Sequence, residues 1–371
     1  MVRLAGDMKV FFAICFILLN ACAHVESRSH PAPHRPEPRR RELNKLFVFG
    51  DSFGDVGNRQ KSARSLTSRG WYYPYGKSDE AHDNLPTGRY GDGLIEPDYI
   101  AKIILGPGKQ SPPAYMDQEQ DDDVDSTGLN FAVAGSGVLE APEEDDEEVP
   151  SLDKQIAQLS RLLRYRVIQK QDLRDSAALI AVSAGRDYRV VEEATSSDDL
   201  ADLSDRVTDA IVDGVRQLRE MGVEKVLVNS LPPFGCAPWQ TYVNNYTHCD
   251  SVGNTVSSIH NANLKQKLGD DAESVLLLDL DTLFTNLVEP KDGSTLSQRQ
   301  FKHKYTPCCD NKRENGYCGE LDRRGNPMYT LCSNPDKYFF WDYMHPTQEA
   351  WKIVMRLLQG QIEEFLGISS W

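Results

Sequence analysis

The chain is predicted to fold as an open α/β sheet of parallel strands, and three observations carry that expectation. Short apolar, β-favouring runs recur at 46–49, 129–133, 177–182, 225–229 and 274–280. Amphipathic stretches long enough for helices lie between most of them. Strands separated in this way pair in parallel through crossovers. Periodicity leaves the strand order open.

Residues 46–49 (LFVF) form the first run, and Gly50 stops it. Asp51 and Ser52 then stand where a buried strand leaves its sheet. A serine there can be held rigidly with its hydroxyl toward solvent, as a nucleophile requires. Gly50-Asp51-Ser52-Phe53-Gly54 also fits the G-x-S-x-G elbow of α/β-hydrolases. Several strands precede that elbow, however, and only the first strand precedes Ser52 here.

From there to Arg89 the chain is rich in Gly, Ser and Tyr and reads as irregular loop. Trp71, Tyr72, Tyr73 and Tyr75 are grouped in it, either as one wall of a cleft or as loop packing. Residues 91–104 place Leu94, Tyr99, Ile100 and Ile103 on one side of a helix. The acidic runs 117–125 and 143–148 lack the EF-hand spacing and read as solvated loops rather than calcium sites. Between them, the strand 129–133 ends at Ala134-Gly135-Ser136-Gly137. Glycine at a strand end lets backbone N–H groups approach a ligand; an ordinary turn is the other reading.

Residues 151–169 carry Leu152, Ile156, Leu159, Leu162 and Leu163 at helical spacing. The strand 177–182 leads into Ser183-Ala184-Gly185-Arg186-Asp187-Tyr188, and a helix over 198–221 is ended by Gly222. A helix over 252–268 separates the last two strands, and one over 348–365 closes the domain. Ligands in open α/β sheets bind at the carboxyl ends of the strands, and Ser52, Gly135 and Arg186 each follow such an end. Residues 305–332 hold Gly, Asn and Pro with little apolar period and are expected to form a disulfide-stapled loop beside 342–346. No second domain and no internal repeat is visible.

The 371 residues carry 41 basic and 56 acidic side chains, a formal net charge of −15, which excludes nucleic acid as a partner. A content of 40% hydrophobic and 26% charged residues is that of a soluble globular protein. Residues 1–23 read as a secretory signal: Arg3 and Lys9 precede the apolar run 10–19, and Ala21-Cys22-Ala23 is an A-x-A cleavage site. That run is about half of the roughly twenty residues that cross a bilayer, so no transmembrane segment is expected. Residues 24–44 are proline-rich and basic and are expected to be a disordered arm, leaving 45–371 as one domain.

Loss of the signal removes Cys15 and Cys22 and leaves Cys236, Cys249, Cys308, Cys309, Cys318 and Cys332. An even count in an oxidising compartment suggests disulfides, although six cysteines allow about fifteen pairings. Cys236 and Cys249 lie on one loop apart from the others and are expected to pair, with two bridges inside 308–332. A zinc site in that stretch is disfavoured, because no histidine lies among its cysteines and adjacent Cys308 and Cys309 suit a metal poorly. His260, His303 and His345 are too scattered for a ligand motif, so neither a metal nor another cofactor is expected. Asn245-Tyr246-Thr247 is a sequon, and Asn245 is expected to carry a glycan.

A serine after the first strand combined with Asp342-Tyr343-Met344-His345-Pro346 before the last helix is a rare pairing. At these residues the chain resembles the GDSL esterase/lipase family of plants, a branch of the SGNH hydrolases. The resemblance runs over 45–368. It includes Gly50-Asp51-Ser52 with Asp55-Val56-Gly57-Asn58, and Thr87-Gly88-Arg89-Tyr90-Gly91-Asp92-Gly93. It continues through Asn130-Phe131-Ala132-Val133-Ala134-Gly135-Ser136-Gly137, Leu231-Pro232-Pro233-Phe234-Gly235-Cys236, Phe340-Trp341-Asp342 and His345-Pro346-Thr347.

The resemblance implies a flavodoxin-like three-layer α/β/α sandwich with a parallel five-stranded sheet. It implies a secreted protein of the apoplast or cell wall that cleaves small-molecule, lipid or cell-wall esters through an acyl-enzyme. Ser52 would be the nucleophile, His345 the base and Asp342 its orienter. The oxyanion donors would be the Ser52 and Gly135 amides and a third group, an asparagine in the family, which is Arg186 here. Arg186 either donates in its place or leaves the hole incomplete. Two expectations follow: a secreted serine esterase, or a secreted glycoprotein that keeps the fold, hydrolyses weakly or not at all, and serves in binding or defence.

Overall fold

Side chains alternate across a strand, and in β1 (Lys45–Gly50) both sets are apolar. Leu46 and Val48 enter one core cluster, Phe47 and Phe49 the other, all four fully buried. A strand of this kind must be covered on both faces. In the computed structural model, which describes residues 43–118, 125–140, 149–189, 196–269, 273–290, 301–313 and 316–368, it is.

Four further strands join it: β2 (Gly128–Asn130), β3 (Ser176–Ala181), β4 (Lys225–Asn229) and β5 (Val275–Leu278). The order is β2-β1-β3-β4-β5 and every pairing is parallel. One face carries the helices α1 (Glu96–Leu105), α6 (Leu280–Val288) and α7 (Gln348–Leu366). The other carries α2 (Leu152–Arg164), α4 (Ser197–Met221) and α5 (Ser251–Leu268), with the short α3 (Lys170–Arg174) leading into β3. The result is the expected three-layer α/β/α sandwich.

Several boundaries differ from expectation for local reasons. The helix expected from 91 starts at Glu96, because Asp92 and the Leu94 amide are bound to Gln348 instead. The second strand stops at Asn130 because the Gly50 N–H that would return to Phe131 donates to Gln155 at 2.8 Å, although the Phe131 amide still donates to Val48. Asp279 accepts the Thr282 N–H at 3.0 Å and caps α6, a helix not expected from the sequence. Within the cysteine-rich stretch, β6 (Cys309–Asn311) and β7 (Tyr329–Leu331) form a short antiparallel pair rather than a plain loop.

The expected signal 1–23, the acidic run 143–148 and most of 117–125 lie outside the described residues, as does 24–42 of the arm. Leu43 is buried and the Asn44 amide donates to the Asp175 carbonyl, so packed chain precedes Lys45. No described helix is long and apolar enough to cross a membrane.

Candidate active site

Ser52 is set by the exit of β1. Gly50 has φ +137°, and a Cβ there would lie 2.0 Å from the Ala181 carbonyl oxygen of β3, so only glycine lets the two strands part here. Gln155 of α2 holds the same residue on both sides: its Oε1 accepts the Gly50 N–H at 2.8 Å and its Nε2 donates to the Gly50 carbonyl at 2.9 Å. That Nε2 also contacts Ser136 Oγ at 3.0 Å, which ties the serine loop to the glycine loop after β2.

Two buried carboxylates, Asp51 and Asp55, and a half-buried one, Asp187, brace the strand ends. Asp51 Oδ2 accepts from the Ser183 amide at 2.7 Å, the Ser183 hydroxyl at 2.8 Å and the Ala184 amide at 3.0 Å, joining the loops after β1 and β3. Asp55 accepts four amides, from Gly57, Asn58, Arg59 and, at 2.7 Å, Ala134. Asp187 accepts from Val138 and Leu139 at 2.8 and 3.0 Å. Burial pushes the Asp55 and Asp187 carboxyls up to about 6 against these donors, and pushes Asp51 up as well.

Asp342 and His345 occupy a tight turn immediately before α7, closed by the Trp341 amide donating to the His345 carbonyl at 2.7 Å. His345 Nε2 lies 2.8 Å from Ser52 Oγ, and His345 Nδ1 lies 2.8 Å from Asp342 Oδ1. The same Oδ1 accepts the Met344 and His345 amides at 2.9 Å each. Oδ2 accepts the Tyr75 hydroxyl at 2.7 Å, with the Arg69 guanidinium 3.4 Å away. Although burial raises the Asp342 carboxyl, the facing His345 and Arg69 outweigh it and hold it well below the carboxylate range.

The floor beneath this turn is the cysteine knot. Cys308 pairs with Cys332 and Cys309 with Cys318, and the Cys308 and Cys309 amides donate to Phe340 and Trp341. Those four cysteines and Trp341 pack around Tyr75. Cys236–Cys249 is the third bridge. Glu289 lies close to that pair, but both sulfurs are committed to each other and offer a metal no thiolate.

A cavity of about 480 Å³ opens over Ser52 and His345. Gly135, at φ +84°, and Arg186 also line it. Arg186 Nη1 lies 3.4 Å from the Gly135 carbonyl. Among the described residues, neither the Ser52 nor the Gly135 amide makes a backbone hydrogen bond. The grouped aromatics divide: Tyr75 is fully buried behind Asp342, Trp71 packs on Gly57 and Gly88, and neither lines the cavity. Leu66, Thr67, Arg69 and Tyr90 form that wall instead. Asn245 sits exposed in a left-handed turn, accessible to modification.

Sequence reasoning missed Gln155 and Arg69, and named Tyr75 only within the aromatic group, not as a partner of Asp342. Gln155 had a readable signal, a polar residue on the apolar stripe between Leu152 and Leu159. Arg69 and Tyr75 had none, since their contact with Asp342 spans more than 260 residues of chain.

The family described as GDSL-like lipase/acylhydrolase matches residues 46–358. Three GDSL esterase/lipases of Arabidopsis thaliana are similar over nearly the whole length. One is 30% identical, covering 96% of this chain and 97% of the relative. A second is 31% identical over 94% and 96%, and a third 29% identical over 88% and 97%.

Proposed function

The chain belongs to the GDSL-like lipase/acylhydrolase family, and from that premise we propose that it is a secreted hydrolase cleaving carboxylic esters through an acyl-enzyme on Ser52. The observation that carries this reading is the unbroken line Ser52 Oγ, His345, Asp342 at 2.8 Å per step, on the floor of the cavity.

His345 Nε2 takes the Ser52 proton as Oγ attacks the ester carbonyl, and returns it to the departing alkoxide. Water, deprotonated by the same nitrogen, then cleaves the acyl-enzyme and restores the serine. Asp342 keeps Nδ1 protonated and Nε2 the acceptor. The Ser52 and Gly135 amides serve as two oxyanion donors, since neither is spent on a backbone partner. Arg186 takes the third position and contributes a guanidinium where the family has an asparagine.

Secretion is part of the reading. Three disulfides suit an oxidising compartment, and we assign 1–23 as the signal, the residues up to the first strand as an arm, and the remainder as the hydrolase domain. A fluorophosphonate probe should label the wild type and not Ser52→Ala, and Ser52→Ala should lose turnover across an ester panel. Folded wild-type protein that takes up no probe would overturn the proposal.

A further inference from the structure

Beside the catalytic cavity lies a second pocket, and the two share Ser183 and Met344 in their walls. Phe53, Phe234, Trp239, Phe284 and Phe340 line most of the second one, and the Ser183 hydroxyl is committed to Asp51 at 2.8 Å. Phe53 follows the nucleophile in the chain, so this pocket begins next to Ser52. It encloses only about 10 Å³, the room that a single water needs. Met344 stands between the two spaces. Its amide donates to Asp342 Oδ1 at 2.9 Å, and the Tyr343 carbonyl accepts the Trp239 amide at 3.0 Å, so the backbone of the turn is fixed on both sides. The side chain crosses to the loop after β3: a Cβ at Gly185 would lie 3.0 Å from the Met344 methyl and 3.4 Å from its sulfur. Gly185 also lines the catalytic cavity. The thioether therefore fills the passage from that cavity into the aromatic pocket.

Resting on the ester-hydrolase reading, we propose that Met344 is a specificity-determining residue: its side chain plugs the aromatic pocket, so the ester cleaved carries a short aliphatic group such as acetyl on the portion that faces it. Phe53, Phe284 and Phe340 belong to one core and Phe234 to the other, so close packing holds the walls where they are. Extra methylenes enter such a space only by displacing what already fills it. Methionine is unbranched and adaptable, the residue type that fills irregular gaps between larger side chains. With the thioether removed, pocket and cavity would join, and a chain of several carbons would gain an apolar surface to lie on next to Ser52.

Two substrate series test this. The 4-nitrophenyl esters of acetic to octanoic acid lengthen the acid portion, and the acetates of ethanol to 1-octanol lengthen the alcohol portion. In at least one series the wild-type kcat/KM should fall with chain length. In that same series Met344→Ala should raise the ratio of longest to shortest by about tenfold or more. Met344→Val should move it the same way to a smaller extent, and Met344→Trp should not raise it. A ratio of rates cancels whatever harm a substitution does to the Asp342–His345 turn. A wild type that prefers the long chain in both series, or a ratio that Met344→Ala and Met344→Val leave unchanged, overturns the inference. Calorimetry keeps the two readings apart. Octanoate or 1-octanol should bind the double variant Ser52→Ala, Met344→Ala about tenfold more tightly than Ser52→Ala alone. That gain with no hydrolysis by the wild type would retain the plug and overturn the hydrolase reading. Ser52-dependent hydrolysis whose chain preference ignores Met344 would do the reverse.

Discussion

Tyr75 donates its hydroxyl to Oδ2 of Asp342 at 2.7 Å, and accepts from Arg69 Nε at the same distance. The long loop after β1 thereby holds the far side of the carboxylate whose near side faces His345. Oδ1 takes two backbone amides, and the imidazole Nδ1 lies 2.8 Å from Oδ1 and 3.0 Å from Oδ2. The orientation of the His345 imidazole is thus fixed from two directions, by its own turn and by a loop from the other end of the chain.

Tyr75→Phe tests that bracing. It removes one donor from a buried, ionised acceptor while keeping the ring that packs on Trp341. Loss of such a bond costs about 1.5–3 kcal/mol. The variant should melt earlier in denaturant and turn over more slowly, yet still take up the fluorophosphonate probe on Ser52. Unchanged stability and turnover would show that the contact braces nothing.

The sheet and the residues around Ser52 were legible because both are local patterns. Five apolar runs set the strands, and Gly50-Asp51-Ser52 and Asp342-x-x-His345 each sit in a turn at the end of one element. What stayed hidden depends on distant contacts or on competition. Gln155, from a helix more than a hundred residues on, shortens β2 by taking the Gly50 amide. The β6–β7 pair is held between disulfides rather than by alternating apolar residues. The α6 helix was readable after the fact, with Asp279 as cap and Leu280, Phe284 and Leu287 on one face. There the apolar end of the strand run masked the change of period.

The cysteine knot supports the Asp342–His345 turn through the Phe340 and Trp341 carbonyls. Replacing Cys309 and Cys318 by serine should cost ~2–4 kcal/mol. Activity should also fall at temperatures where circular dichroism still reports the intact sheet, because the floor of the turn loosens first. If activity and ellipticity are lost together with an unchanged midpoint, the knot is not a support for the site.

The proposed mechanism gives Arg186 the third oxyanion position, on a turn anchored by Asp187. On a neutral ester, Arg186→Ala should lower turnover and Arg186→Asn should change it little if the guanidinium donates into the hole. If the hole instead lacks a donor, Arg186→Asn should raise turnover by up to about 10²-fold. A rate that falls in Arg186→Asn and is unchanged in Arg186→Ala would remove this residue from the oxyanion region.

Secreted material should begin at His24 and carry a glycan on Asn245, which is exposed. N-terminal sequencing and mass spectrometry before and after glycosidase treatment read both. A retained Met1, or a mass that the glycosidase leaves unchanged, would contradict the respective assignment.

Glu96 gives the last prediction, a stability that falls as pH rises. Its carboxyl is fully buried in the first turn of α1, and burial pushes it up to about 8, with the Asn229 amide opposing and Asp51 adding to the shift. A carboxyl that holds its proton more tightly folded than unfolded contributes stability in full below the unfolded value of 4.5. That contribution erodes as pH rises, at ~1.4 kcal/mol per unit, and is gone above about 8. Asp55 and Asp187, each at about 6, act in the same direction but are spent near that pH. Between 6.5 and 8 Glu96 should therefore contribute to the slope, beside Asp51 and Asp92, whose carboxyls burial also pushes up. Glu96→Gln keeps a neutral group able to pair with Asn229, so it should flatten that part of the curve and melt above the wild type at pH 8. Denaturant midpoints taken at half-unit pH steps decide it. A wild-type slope that survives the substitution would mean that Glu96 is not among the groups losing their protons.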